Sequence, residues 1–186
     1  MELLENDLVE GSSGRFGKRL IYGQRGHKTI IARRPAKKRN PKTPDQVRVR
    51  ELFSEAVLYA RAVIADEVKK ALYQAKVKGN QSAFNLALSD FCKAPEIRKY
   101  NVTEYTGQIG DEISIRAFDD FKVESVNLTI KDSTDSTIEE GPALLSANGA
   151  DWIYTASTAI PVLAGTKLII SVADIPGNIT TQELIL

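Results

Sequence analysis

The spacing of apolar residues changes near residue 100, and this change constrains the fold more than any other feature of the chain. Before residue 100, apolar side chains recur at three- and four-residue steps from Val49 to Ala75, which is typical of an amphipathic helix. After it, apolar and polar side chains alternate, which is typical of half-buried strands. The sequence therefore predicts an α+β protein whose helices precede its strands.

The helical part has a clear start. Thr43 is a good N-cap, Pro44 suits the first helical position, and Gln46 completes a capping box. The periodic pattern then continues to about Val77, and Gly79 offers a C-terminal stop. We expect one long helix over this range.

A second, shorter helix is predicted from Ser82 to Lys93, with Pro95 as its stop. Its apolar face contains Phe84, Ala87, Leu88 and Phe91. The two helices form a predicted αα-hairpin over residues 43–98. Because the short helix cannot cover the whole apolar stripe of the long one, we expect another copy or another protein to contact the remainder.

Residues 99–186 are predicted to form an antiparallel β-sandwich of six or seven strands. Turn-forming clusters at residues 107–110, 132–136, 148–149 and 176–178 separate short alternating runs. Trp152 is the expected core aromatic residue. The inward-facing residues of three strands are predicted to be Ile113, Ile115, Ala117, Val126, Leu128, Ile130, Leu168, Ile170 and Val172.

Four runs in this part resemble bacterial immunoglobulin-like domains: residues 113–120, 123–130, 152–154 and 172–178. The run Gly14-Arg-Phe-Gly17, the segment after it and the run Thr43-Pro-Asp-Gln46 also resemble an uncharacterised bacterial family that has a basic arm, a helix and a β-rich tail. The resemblance implies an immunoglobulin-like C-terminal domain and brings no known activity.

Charge is strongly segregated along the chain. Thirteen of the 25 Lys and Arg residues, but only one of the 24 acidic residues, lie in residues 14–50. This segment therefore carries about +12 and the rest of the chain about −11, although the total is only +1. A basic arm on an acidic body predicts docking onto a negatively charged partner.

Residues 1–42 comprise a predicted flexible tail, 1–13, and a basic arm. Two apolar runs, Leu20 to Tyr22 and Thr29 to Ile31, predict a β-hairpin over residues 15–34 with its turn at residues 23–26. Residues 35–43 contain two prolines and a charge cluster, which predicts an extended linker. Because an isolated hairpin is marginally stable in water, we expect it to rest on another element or another subunit.

The arm's cations form the candidate binding site for a partner or nucleic acid. The residues are Arg15, Lys18, Arg19, Arg25, Lys28, Arg33, Arg34, Lys37, Lys38 and Arg39. The last five form the densest cluster. They are interpreted as contacts to phosphates or to an acidic protein surface, the alternative being a solvated linker. No zinc finger, RNA-recognition signature or helix-turn-helix accompanies them.

The sequence gives little support for catalysis or for a metal or cofactor site. His27 is the sole histidine and lies among cations, and Cys92 is predicted to be a packed thiol on the short helix. One Cys and one His do not make a zinc site, and no nucleotide-binding loop is present. We predict no catalytic residues, no metal, no cofactor and no small-molecule substrate. Carboxylates at predicted strand ends are either calcium ligands or, as we prefer, turn residues: Asp119, Asp120, Asp132, Asp135 and Asp174.

Two functional hypotheses follow. The first is a non-catalytic structural protein that docks through its arm and long helix into an acidic multi-subunit assembly, such as a phage-like particle, or into a homo-oligomer. The alternative is an electrostatic binder of nucleic acid, either ribosomal RNA or packaged DNA. The first 13 residues lack the features of a secretory signal, and no apolar run approaches the ~20 residues of a membrane helix. We therefore expect a cytoplasmic location, or one within a particle assembled there, without membrane contact.

Overall fold

The computed structural model describes residues 9–26, 28–34 and 43–186, and it has the predicted α+β class. Within these ranges there are three helices and three antiparallel sheets. The helices are α1 (Pro44–Ala65), α2 (Glu67–Gln74) and α3 (Ala83–Phe91).

The N-terminal sheet precedes the helices and has the strand order β1-β2-β3. Its strands are β1 (Gly14–Phe16), β2 (Leu20–Arg25) and β3 (Lys28–Arg33).

Eight strands follow the helices, where the sequence predicted six or seven, and they form two four-stranded sheets, ordered β4-β5-β9-β8 and β11-β10-β6-β7. The strands are β4 (Glu96–Asn101), β5 (Glu112–Phe118), β6 (Val123–Lys131), β7 (Thr137–Pro142), β8 (Leu144–Leu145), β9 (Trp152–Thr155), β10 (Lys167–Asp174) and β11 (Ile179–Ile185). We call residues 96–186 the β unit. The sequence-based division at 98/99 falls inside β4.

The start of α1 is confirmed. Thr43 has extended backbone angles and its side chain accepts a hydrogen bond from the Gln46 N–H at 3.3 Å. Pro44 occupies the first helical position, where its missing N–H has no intrahelical partner to lose.

The prediction of one long helix to Val77 is wrong, because the helix breaks at Asp66. This residue is extended, with φ −93° and ψ 113°, and its N–H still bonds to the Ala62 carbonyl at the end of α1. Its Oδ1 accepts hydrogen bonds from the N–H groups of Val68 and Lys69, at 2.9 and 3.1 Å, and so caps α2. A short acidic side chain competes in this way with the helical backbone for hydrogen bonds. The spacing of the apolar residues does not reveal such a break.

The helices pack around small residues. α3 begins at the predicted cap, where the Ser82 hydroxyl accepts a hydrogen bond from the Asn85 N–H. It lies against the C-terminal half of α1, and Ala60, Ala83 and Ala87 are buried there together with Val63. Alanines allow the two backbones to approach closely, but α3 is too short to cover the rest of α1.

The predicted alternation in the β unit is confirmed. In β5, β6 and β10 buried residues alternate with more exposed ones. Of the nine residues predicted to face inward, Ala117 in β5 is only partly buried, and the other eight are fully buried. These buried residues are Ile113, Ile115, Val126, Leu128, Ile130, Leu168, Ile170 and Val172. Since they come from both sheets and form one cluster, the two sheets share a single core.

Trp152 is not the central aromatic residue that we expected. It is half-buried and packs against the margin of the β-unit core, whereas Tyr154, two residues later on the same strand, is buried. The period of two places both side chains on one face of β9. Only the position of β9 relative to the second sheet decides which of them reaches the centre.

The N-terminal segment has three strands, where the sequence predicted a two-stranded hairpin. Gly23, Gln24 and Arg25, which were predicted to form the turn, belong to β2, and the chain reverses only after Arg25, where Gly26 has a φ of +62°. Residues 9–12, assigned to the tail by sequence, hydrogen-bond to this sheet: the Gly11 N–H donates to Thr29 Oγ1 at 3.1 Å. Residues 1–8, His27 and the predicted linker at 35–42 lie outside the described residues.

Cys92 is exposed, so the prediction of a packed thiol is wrong. It is the C-cap of α3, with φ −80° and ψ −6°, one residue beyond the last helical position. The apolar face of α3 therefore ends before it.

The capping role of Asp66 makes a stability prediction. Asp66→Ala removes the acceptor for two N–H groups at the start of α2 and should lower the free energy of unfolding by about 1 kcal/mol. Asp66→Asn keeps an acceptor oxygen at the same place and should stay close to the wild type. Urea titration of both variants measures the difference, and equal stabilities for the two would argue against the cap.

Candidate docking surface

Seven of the ten predicted site cations lie within the described residues, and all seven are exposed. They occur on the N-terminal sheet or beside it: Arg15 on β1, Lys18 and Arg19 between β1 and β2, Arg25 on β2, Lys28 and Arg33 on β3, and Arg34 directly after β3. Lys37, Lys38 and Arg39 lie outside the described residues, so the densest part of the predicted cluster is not placed.

Strand register sorts these cations by face. Arg15 pairs with Ile21, Gly23 with Ile30, and Arg25 with Lys28. Because side chains alternate across a strand, these rows share one face of the sheet. We call it the basic face. It combines three cations with the side chains of Ile21 and Ile30.

The opposite face is aromatic and aliphatic. Phe16 lies opposite Leu20, and Tyr22 lies opposite Ile31, on the alternate rows of the same register. The rings of Phe16 and Tyr22 meet edge to face, with centroids 5.9 Å apart. Arg33 is the one site cation that the register places on this apolar face.

No described residue of the N-terminal sheet is buried, which is unusual for a three-stranded sheet. Phe16 is 66% exposed and Ile31 is 50% exposed. β3 is moreover an edge strand, so its outer backbone groups have no strand partner within the described residues. A sheet without a core of its own gains little stability from burial, and an open edge invites pairing.

The sheet touches the helices at its tip. A side chain added at Gly26 would place its Cβ 2.6 Å from Asn80 Nδ2, in the α2–α3 connection. On the sheet itself, Gln24 Nε2 donates to Thr29 Oγ1 at 2.9 Å and to the Ser12 carbonyl at 2.8 Å. The approach to the helices is confined to this tip, and most residues on both faces of the sheet are exposed.

A second exposed apolar surface lies on α1. Val49, Leu52 and Phe53 are 60%, 40% and 54% exposed. They continue, toward the N-terminus, the stripe that α3 covers at Ala60 and Val63. Part of the apolar stripe is thus uncovered in the monomer, which agrees with the sequence-based expectation.

The structure also contains a buried polar network that the sequence analysis missed. The Tyr73 hydroxyl donates to Asp90 Oδ2 at 2.6 Å and lies 2.8 Å from the Tyr59 hydroxyl. Asp90 is 2% exposed, and its Oδ1 is buried without a hydrogen-bond partner among the described residues. In the sequence, Asp90 is only a polar residue near the end of a predicted helix, so nothing local predicts its burial.

Burial raises the pKa of the Asp90 carboxyl to about 7. The Tyr73 hydrogen bond lowers this pKa, and the nearby carboxylates of Asp119 and Asp174 raise it further. Burial also raises the pKa of the Tyr73 hydroxyl, so Tyr73 stays a hydrogen-bond donor. A neutral Asp90 avoids placing an uncompensated charge in the interior.

This network lies where the helices meet the β unit. The Tyr73 ring stacks on Phe121, with centroids 4.1 Å apart, and Lys76 Nζ lies 4.4 Å from the centroid of that ring. Lys76 also donates to the Phe121 carbonyl, and Asn178 Nδ2 donates to the Phe91 carbonyl at 3.2 Å. The helices and the β unit are therefore joined by packing and by hydrogen bonds.

The loop carboxylates are turn residues. Asp119 Oδ2 accepts the N–H groups of Phe121 and Lys122, and Asp132 and Asp174 accept N–H groups in their own turns in the same way. Asp120 pairs with Lys93, and Asp135 pairs with Lys167 at 2.9 Å. No three His, Cys, Asp or Glu side chains in the described part of the chain are grouped to hold a metal ion.

An open cleft of about 310 Å³ lies at the junction between α3 and β5. It is lined by Lys93, Ala94, Glu96, Phe118, Asp119 and Asp120. The ammonium of Lys93 is paired with Asp120, and Asp119 is held by its turn. The cleft is therefore lined by groups that already have partners.

Comparison with family models, with curated protein sequences and with solved structures found no match to this chain. Among the described residues, no helix has the length and apolar character needed to cross a bilayer.

Asp90 makes stability depend on pH. The folded-state pKa lies above the ordinary value of 3.8, so the carboxyl's contribution is fully present below about pH 4 and is lost as the pH rises through about 7. Asp90→Asn cannot ionise. Relative to this variant, the wild type should lose up to about 1.4 kcal/mol of unfolding free energy per pH unit within that window.

Asp132→Asn is the matched control for this measurement. Hydrogen bonds from Thr134 and Ser136 lower the pKa of Asp132, so its contribution is present above its ordinary pKa and is lost only at lower pH. The difference between this variant and the wild type should stay constant from pH 4 to 7. Urea titrations across that range would contradict the assignment if the Asp90→Asn difference were equally constant.

Proposed function

We propose that this protein is a non-catalytic assembly component. It docks through the N-terminal sheet and α1 into a larger, negatively charged protein assembly, and it presents the β unit as an immunoglobulin-like domain. The assembly is a multi-subunit particle formed in the cytoplasm.

The observation that carries this proposal is the N-terminal sheet without buried residues. Apolar side chains on one face and cations mixed with isoleucines on the other suit burial against a protein surface, because a protein offers both apolar groups and carboxylates. The open edge of β3 adds backbone groups that a partner strand can pair with. Completion by a partner supplies the core that the sheet lacks.

The strand order supports the immunoglobulin-like assignment of the β unit. Lettering the eight strands β4 to β11 in chain order as A, B, C, C′, D, E, F and G turns the two sheets into A-B-E-D and G-F-C-C′. Immunoglobulin domains divide their strands in this way. The usual inter-sheet disulfide cannot form, since Cys92 is the sole cysteine and precedes the β unit.

Nucleic-acid binding is the alternative, and the basic face favours it. Arg15, Arg25 and Lys28 project from one side of the sheet without an ion-pair partner among the described residues. Phosphate contacts of this kind require cations and little else. The apolar residues on both faces favour the protein partner, because phosphates do not bury them.

The test removes the basic face and follows recruitment. In extracts of the native source, we expect the wild-type chain to co-sediment with a high-mass fraction. The triple variant Arg15→Ala, Arg25→Ala and Lys28→Ala should no longer do so. The matched control, Lys69→Ala, Lys70→Ala and Lys78→Ala, removes the same charge from exposed sites on α2 and in the α2–α3 connection and should stay in that fraction.

Nuclease and salt separate the two functions. If the partner is protein, co-sedimentation survives nuclease treatment and weakens little with salt, because apolar burial resists screening. If the partner is nucleic acid, nuclease releases the chain. The purified protein then binds bare duplex or single strands, and its affinity falls steeply and linearly on a log–log salt plot. The second pattern would replace the assembly proposal by its alternative.

A further inference from the structure

The apolar stripe of α1 has a heptad spacing, and only its N-terminal part is uncovered. Val49, Ala56 and Val63 are seven residues apart, and Leu52 and Phe53 fall between the first two. Ala56 and Val63 are buried, whereas Val49, Leu52 and Phe53 are exposed. The stripe therefore leaves two turns of α1 with an apolar seam of the kind that pairs with another helix.

Charges beside this seam indicate what covers it. Arg48 and Glu55 are also seven residues apart, so they lie on the same flank of the seam, and both are exposed. Neither forms an ion pair with another residue of the described ranges. A surface that carries one cation and one carboxylate, symmetrically about Leu52, is complementary to itself.

An antiparallel copy of α1 satisfies both features. With a two-fold axis beside Leu52, each Arg48 faces Glu55 of the second copy, and the apolar seams meet between them. A parallel copy would place each of these charges opposite the apolar residues Phe53 or Ala60 on the other flank, and would gain no ion pair. The charge pattern thus selects both the occupant and its direction.

We infer that the exposed N-terminal half of α1 is a homodimer interface in which the same helix of a second copy packs antiparallel. The inference rests on the proposed docking role of α1 and names its partner. The basic face of the N-terminal sheet remains free for the assembly.

The test uses the purified full-length chain in sedimentation equilibrium. We expect a reversible dimer at concentrations up to about 100 μM. Phe53→Glu should raise the dissociation constant at least tenfold, because it places a carboxylate in the seam. Leu58→Glu is the matched control. Leu58 is 64% exposed on the opposite side of α1 from Val49, so this variant should dimerise like the wild type.

Charge exchange tests the direction of the helices. Arg48→Glu alone and Glu55→Arg alone should each raise the dissociation constant roughly fivefold, since each places like charges together twice per dimer. The double exchange recreates both ion pairs with reversed polarity and should restore the wild-type value to within about twofold. Circular dichroism establishes that each variant keeps its helices.

A wild-type chain that is monomeric throughout this range would overturn the inference, as would equal effects of Phe53→Glu and Leu58→Glu. If Phe53→Glu weakens the dimer but the double exchange of Arg48 and Glu55 does not restore the wild-type dissociation constant, the antiparallel arrangement is overturned. The proposed function fails separately: the basic-face triple variant should still dimerise, and only its recruitment to the high-mass fraction should be lost. A dimer without recruitment would retain the interface and discard the assembly role.

Discussion

The structure depends on the placement of Tyr73. Its ring stacks on Phe121 of the β unit, and its hydroxyl joins Tyr59 of α1 to Asp90 of α3. This one side chain therefore connects all three helices to the loop between β5 and β6. Its position follows from the break at Asp66, because α2 changes direction there. In an uninterrupted helix, Tyr59 and Tyr73 would lie about 21 Å apart along the helix axis, too far for their hydroxyls to meet. The helix cap and the buried network are thus parts of one arrangement.

The buried and the exposed apolar residues lie in different parts of this chain. The β unit and the C-terminal half of α1 bury their apolar residues within the chain. The N-terminal sheet and the first turns of α1 leave theirs exposed. Residues 96–186 contain six basic and fourteen acidic residues, whereas residues 14–50 contain thirteen and one. Charge of like sign is concentrated where apolar surface is uncovered, and such a surface is suited to association.

The candidate docking surface was only partly predictable. The cations were evident from composition, since thirteen of them share a segment with one carboxylate. Their division between faces was not, because composition does not show which residues pair across strands. The strand pairing puts Arg15, Arg25 and Lys28 on one face. Arg33 pairs with Leu20 and lies on the apolar face.

The sequence by itself determined the α+β class, the cap at Thr43 and the alternating burial in β5, β6 and β10, because each depends on neighbours within a few residues. Only the tertiary structure decided the burial of Asp90, the exposure of Cys92 and the marginal position of Trp152. Periodicity states which side of an element a residue occupies. Residues distant in the chain decide what packs against that side, and the local spacing of residues does not predict them.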